Sequence, residues 1–109
     1  MAVSTISRDK GTEWYIRYLD WTPSYAWGAY PGGNNVAQSK SFTFSKAISW
    51  QGIFPSALCQ SDAIETHIVP ASNTVGRVNT RNLTTASVAA SVVRVYFFVN
   101  DPDVTVSWS

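Results

Sequence analysis

An all-β fold, a small antiparallel β-sandwich, is the class that this 109-residue sequence predicts. Three observations carry that expectation. Apolar residues recur at every second position through most of the chain, the period of a strand and not of a helix. Clusters of turn-forming residues interrupt these runs roughly every 8–15 residues, the punctuation of a sandwich or barrel. The charged fraction is 14%, against an average of about 25%, and 14 Ser and 10 Thr supply the polar surface instead.

The elements follow in order. Residues 1–12, Met1 to Thr12, are polar and without period; they are read as a leader or the end of a stalk ahead of a single domain over 13–109. Trp14, Ile16 and Tyr18 alternate with Tyr15, Arg17 and Leu19. Tyr25, Trp27 and Ala29 line one face of a second run. Phe42 and Phe44 alternate with Ser41, Thr43 and Ser45, and Ile64, Thr66 and Ile68 with Glu65 and His67. The Ala-rich stretch Thr84 to Ser91 reads as a strand over a short helix, on its hydroxyls and flanking valines. Val93, Val95, Phe97 and Val99 then share one face, and Val92, Arg94, Tyr96 and Phe98 the other. Val104, Val106 and Trp108 against Thr105 and Ser107 close the pattern. Between the runs stand Asp20-Trp21-Thr22-Pro23, Pro31-Gly32-Gly33-Asn34-Asn35, Gln51-Gly52, Pro70-Ala71-Ser72-Asn73 and Asn100-Asp101-Pro102-Asp103.

A half-exposed strand alternates apolar with polar residues, but residues 92–99 are apolar on both faces. One face packs inside the sandwich. The other, Val92/Arg94/Tyr96/Phe98, is expected to be covered by another copy of the chain.

Composition excludes several function classes. A net charge of +1 gives no drive toward a phosphate backbone, so nucleic acid is not an expected partner. No window of about 20 apolar residues exists, so no membrane insertion is expected. Met1-Ala2-Val3-Ser4 has no basic-then-apolar targeting pattern. Cys59 is the one cysteine and His67 the one histidine, too few for a disulfide framework or a zinc site. No Gly-x-Ser-x-Gly elbow singles out a nucleophile. Asp62 and Glu65 offer two carboxylates, as glycoside hydrolysis requires, but they fall at a strand entrance where solvated charge is common. No enzyme, metal or cofactor is expected.

The binding candidates lie in turns. Trp21 and Trp50 stand beside turns, where an aromatic ring can stack on a sugar. Tyr30 and Asn34 belong to a segment combining an aromatic, a flexible turn and amides that donate and accept. Asp101 sits in a turn rich in oxygen atoms, too few alone for calcium. Trp14, Trp27 and Trp108 lie in alternating runs and are expected in the core. Arg77 and Arg81 flank Val78-Asn79-Thr80 and, with Arg94, offer a small basic patch, more simply a solvated face or a subunit salt bridge. Asn82-Leu83-Thr84 matches a glycosylation acceptor by spacing.

The order of these features resembles the C-terminal receptor-binding domains of bacteriophage and prophage tail fibre proteins. The matching segments are Trp14-Tyr15-Ile16-Arg17, Ala26-Trp27-Gly28, Ser41-Phe42-Thr43-Phe44 and Phe54-Pro55. They continue through Val93 to Val99, Asn100-Asp101-Pro102-Asp103 and Val104-Thr105-Val106-Ser107-Trp108. The resemblance spans about residues 13–108. It implies a lectin-like sandwich, related in architecture to the H-type lectins and usually a homotrimer. It further implies a place in the virion tail and binding to bacterial surface glycans without chemistry. A structural virion module (decoration, baseplate or fibre assembly) is the alternative expectation, and a non-viral lectin or toxin-like module a third.

Overall fold

The computed structural model describes residues 13–109. The leader read over residues 1–12 lies outside them. The described residues form seven strands: β1 (Tyr15–Trp21), β2 (Ala37–Phe44), β3 (Ser56–Cys59), β4 (Ile64–Pro70), β5 (Val75–Asn82), β6 (Val93–Val99) and β7 (Val106–Trp108). A single 3-10 turn, Trp50–Gly52, is the one helical element among the described residues. Every strand pair is antiparallel. One sheet has the order β1-β6-β3 and the other β4-β5-β2-β7.

The two-residue period sorts each strand's side chains between a shared core and an outer face. From β6, Val93, Val95, Phe97 and Val99 point inward and are buried. They meet Phe42 and Phe44 of β2, Val78 of β5 and Ile64 of β4. Phe97 bridges the sheets, its ring 5.2 Å from that of Phe42 and 4.9 Å from that of Phe44. Such tilted and edge-on pairs contribute about 0.5–1.5 kcal/mol beyond the area they bury.

Both open sides of the two-sheet stack are stitched by a side chain bonding to backbone. Where β7 lies beside β1, the Trp108 indole donates to the Asp20 carbonyl at 3.0 Å and its ring packs 6.3 Å from that of Trp21. Where β3 lies beside β4, the Thr66 hydroxyl donates to the Ala57 carbonyl at 3.2 Å. Arg17 is the charged exception on an inward face. Its guanidinium donates to the carbonyls of Val104 at 2.8 Å and Pro102 at 3.0 Å, which makes its burial tolerable.

Two expected strands are not regular. Residues 25–29 and 84–91 meet only through the Trp27–Val88 bridge, with N···O distances of 2.8 and 2.9 Å. Asn82, fully buried, explains why. Its amide donates to the carbonyls of Gly28 at 3.0 Å and Ala86 at 2.8 Å, and its carbonyl accepts from the Thr84 backbone N–H and hydroxyl. All four hydrogen-bonding valences of the side chain are filled, and the flanking backbone bonds to it instead of to a ladder. The glycosylation triplet that begins at Asn82 therefore has no accessible amide. Trp27 is also fully buried, as expected, with its indole on the Thr80 hydroxyl at 2.9 Å. Trp14 differs from expectation. It is half-buried, with its ring 5.8 Å from that of exposed Phe54.

Asn82→Ala takes the amide donor from the part-buried bonds to the Gly28 and Ala86 carbonyls and the acceptor from Thr84, and should lower unfolding free energy by about 3 kcal/mol, seen as a lower urea midpoint. Asn82→Asp should be about as harmful, because a carboxylate cannot donate to Gly28 and Ala86. An unchanged midpoint in either variant would show that this amide does not hold the two segments.

Candidate functional site: the two outer sheet faces

The five residues singled out in turns are not gathered into one site. Trp21 ends β1 against Trp108. Trp50 lies over Phe42 and Phe44, with centroids 6.1 and 5.6 Å away, and its indole donates to the Ser72 carbonyl at 2.6 Å. A methyl added at Gly76 would collide with the Trp50 and Phe42 rings, so that glycine makes room for the tryptophan. Both indoles are thus engaged in packing. Tyr30 and Asn34 share the loop that leads into β2, where both are exposed and the Tyr30 N–H donates to the Thr84 carbonyl at 2.8 Å. Asp101 lies at the opposite end of β2, paired with Lys46 at 2.9 Å and accepting from the Asp103 N–H. The Lys46 ammonium and that N–H hold its carboxyl below the usual carboxylate value.

The outer faces of the sheets carry more chemistry. On the three-stranded sheet the register aligns Ile16 with Phe98, Tyr18 with Tyr96 and Ser56, and Asp20 with Arg94 and Leu58. Tyr18 is 49% exposed and Leu58 61%. The Arg94 guanidinium forks onto both Asp20 oxygens at 2.7 and 2.9 Å and lies 4.4 Å from the Tyr18 ring centre. Among the described residues the one ion pair of this face is closed within the chain, and what remains, Ser56 apart, is aromatic and aliphatic.

On the four-stranded sheet the outer face is polar. Three cross-strand rows run Glu65–Arg81–Ala37, His67–Asn79–Ser39 and Val69–Arg77–Ser41. The first two rows and Arg77 of the third line a basin of about 410 Å³, to which Gln38 and Thr80 also contribute. Within it His67 Nδ1 stands 2.9 Å from a Glu65 oxygen, and Arg77 Nε donates to the Asn79 side-chain Oδ1 at 3.0 Å. The three arginines expected as one patch are split. Arg77 and Arg81 are here, whereas Arg94 lies on the other sheet. The sequence reading did not assemble this basin, although the alternation of Arg77, Asn79 and Arg81, opposite Glu65 and His67, was the available signal. Asp62 lies in the turn before β4, and Glu65 is bound to His67. No group of three His, Cys, Asp or Glu able to hold a metal occurs among the described residues.

The Asp20–Arg94 pair has a pH signature. Hydrogen bonding from Arg94, reinforced by its charge, holds the Asp20 carboxyl below its ordinary value despite partial desolvation. The unfolded chain titrates near 3.9 and the folded carboxyl lower, so the pair's contribution is complete above the unfolded value and fades as pH falls through the folded one. In a carboxyl NMR titration Asp20 should titrate lower in the native protein than in Arg94→Gln. Identical Asp20 curves would contradict the pairing.

Comparison with protein-family models, curated proteins and solved structures finds no significant match.

Proposed function

We propose that this chain is the non-catalytic, multivalent receptor-binding tip of a bacteriophage or prophage tail fibre. It is lectin-like, forms a homotrimer through the Val92/Arg94/Tyr96/Phe98 face, and binds carbohydrate on the host surface. The observation that carries this reading is the division of labour between the outer faces. One is apolar, with its single ion pair already closed, so a second copy can cover it without stranding a charge. The other offers guanidinium, imidazole, amide and hydroxyl groups in a shallow open basin, the mixture that recognises sugar hydroxyls. The order of motifs shared with tail fibre domains adds support. One site of this kind binds weakly, because each sugar hydroxyl exchanges a water hydrogen bond for a protein one. Three sites held on one tip raise avidity by about 10²–10⁴ when they engage together.

The packing of Trp21 and Trp50 favours a second reading. With both indoles engaged in the fold, a loop-borne sugar platform loses its aromatics, and a structural virion module with no glycan partner becomes the rival.

Light scattering should give about three times the 12.0 kDa chain mass at micromolar concentration. Arg94→Glu sets a second carboxylate beside Asp20 and should weaken that assembly while leaving the monomer folded. Adsorption to bacterial cells, competed by their surface polysaccharide, should fall by about 10²-fold or more in the dissociated variant. A native monomer would overturn the trimer. A trimer that adsorbs to no cell and no glycan would favour the structural module.

A further inference from the structure

We propose that the basin on the four-stranded sheet recognises an acidic glycan, a short oligosaccharide bearing carboxylate or phosphate groups. The inference rests on the glycan-binding reading above and names its substrate class.

The fate of each described cation carries it. Arg94 is paired with Asp20 and Lys46 with Asp101. Arg17 is buried on backbone carbonyls, and Lys40 lies 5.8 Å from the centre of the Trp108 ring. Arg77 and Arg81 remain. Neither has an ion pair with any described residue, and both line the same basin. Arg81 stands directly opposite Glu65 in the strand register, yet that carboxylate is bound by His67 instead. Arg77 uses only its Nε on Asn79, which fixes the fork while leaving its terminal nitrogens for a ligand. A planar guanidinium fork matches carboxylate and phosphate oxygens in a way that an ammonium does not.

The spacing favours a chain over a single ion. Arg77 and Arg81 are four residues apart on one strand, about 13 Å at about 3.3 Å per residue. Between them stand Asn79 and, across the register, Ser39 and His67, all able to bond hydroxyls. Cations at the two ends with neutral donors and acceptors between them suit sugar rings carrying acidic substituents. Nucleic acid fits less well, because no aromatic ring lines the basin for bases to stack on, save the His67 imidazole.

The test presents the full chain to immobilised trigalacturonate, sialyllactose and a mannose-6-phosphate oligosaccharide, each beside its uncharged parent, together with a single-stranded oligothymidine. At least one acidic member should bind about tenfold above its parent, and binding should fall with added salt. Whether the carboxylate or the phosphate members respond separates the two acid sources. Arg77→Gln and Arg81→Gln should each reduce binding about tenfold, and Lys46→Gln, which removes the same charge at the far end of β2, should not. Arg77→Lys and Arg81→Lys keep the charge without the fork and should fall between. Equal binding of acidic and neutral members, or indifference to both arginine variants, would overturn the acid assignment while leaving glycan binding intact. Oligothymidine bound above every sugar would overturn it in favour of nucleic acid. Silence across the whole set would overturn both the assignment and the glycan reading.

Discussion

The contact on which this architecture depends is the wedge of Phe97 between Phe42 and Phe44. It joins the middle strand of one sheet to an inner strand of the other, and the valines of β6 fill the space around it. With that seam in place the faces of both sheets are committed. Any side chain one position off the inward set must stand on an outer surface, because the strand period is two. The composition of each outer surface is thus a direct consequence of where β6 and β5 place their alternate residues.

Those surfaces are chemically opposite. β6 sends Arg94, Tyr96 and Phe98 outward beside Ile16, Tyr18 and Leu58, and the Asp20 carboxylate closes the only charge among the β6 side chains there. β5 sends Arg77, Asn79 and Arg81 outward beside Glu65, His67 and Ser39. The proposed function assigns self-association to the first face and sugar recognition to the second. Because the faces lie on different sheets, covering one by a neighbouring copy leaves the other open to solvent. That separation is what a multivalent binder requires, since avidity comes only from sites that stay accessible after assembly.

Strands with a strong oily period were legible from residue types alone. β6 is the clearest case, and its two faces fall where Val93–Val99 and Val92–Phe98 alternate. β5 carries no such period, although it is an inner strand of its sheet. Its inward residues are Gly76, Val78, Thr80 and Asn82, which carry little apolar signal. They fit because Gly76 makes room for Trp50, Thr80 accepts the Trp27 indole and donates to the Gln38 carbonyl, and Asn82 is saturated by hydrogen bonds. Such compensation is tertiary and leaves no periodic trace. The basin built on β5 is hidden in the sequence for the same reason. In the same way Arg17 looks like a surface residue until the Pro102 and Val104 carbonyls arrive from 85 or more positions away. Segments 25–29 and 84–91 look strand-like until Asn82 takes their backbone partners. The turn-borne tryptophans failed as exposed platforms for a simpler reason, namely that a large ring beside a turn is stabilised by folding back onto the core.

The most direct measurement of the proposed two-faced design is solvent paramagnetic relaxation on the native protein at increasing concentration. Signals of Tyr18, Leu58 and Tyr96 should become shielded as copies associate, while those of Arg77, Asn79 and Arg81 stay as accessible as in the isolated chain. Equal accessibility of both faces at every concentration, or shielding of the arginine basin in place of the aromatic face, would contradict it.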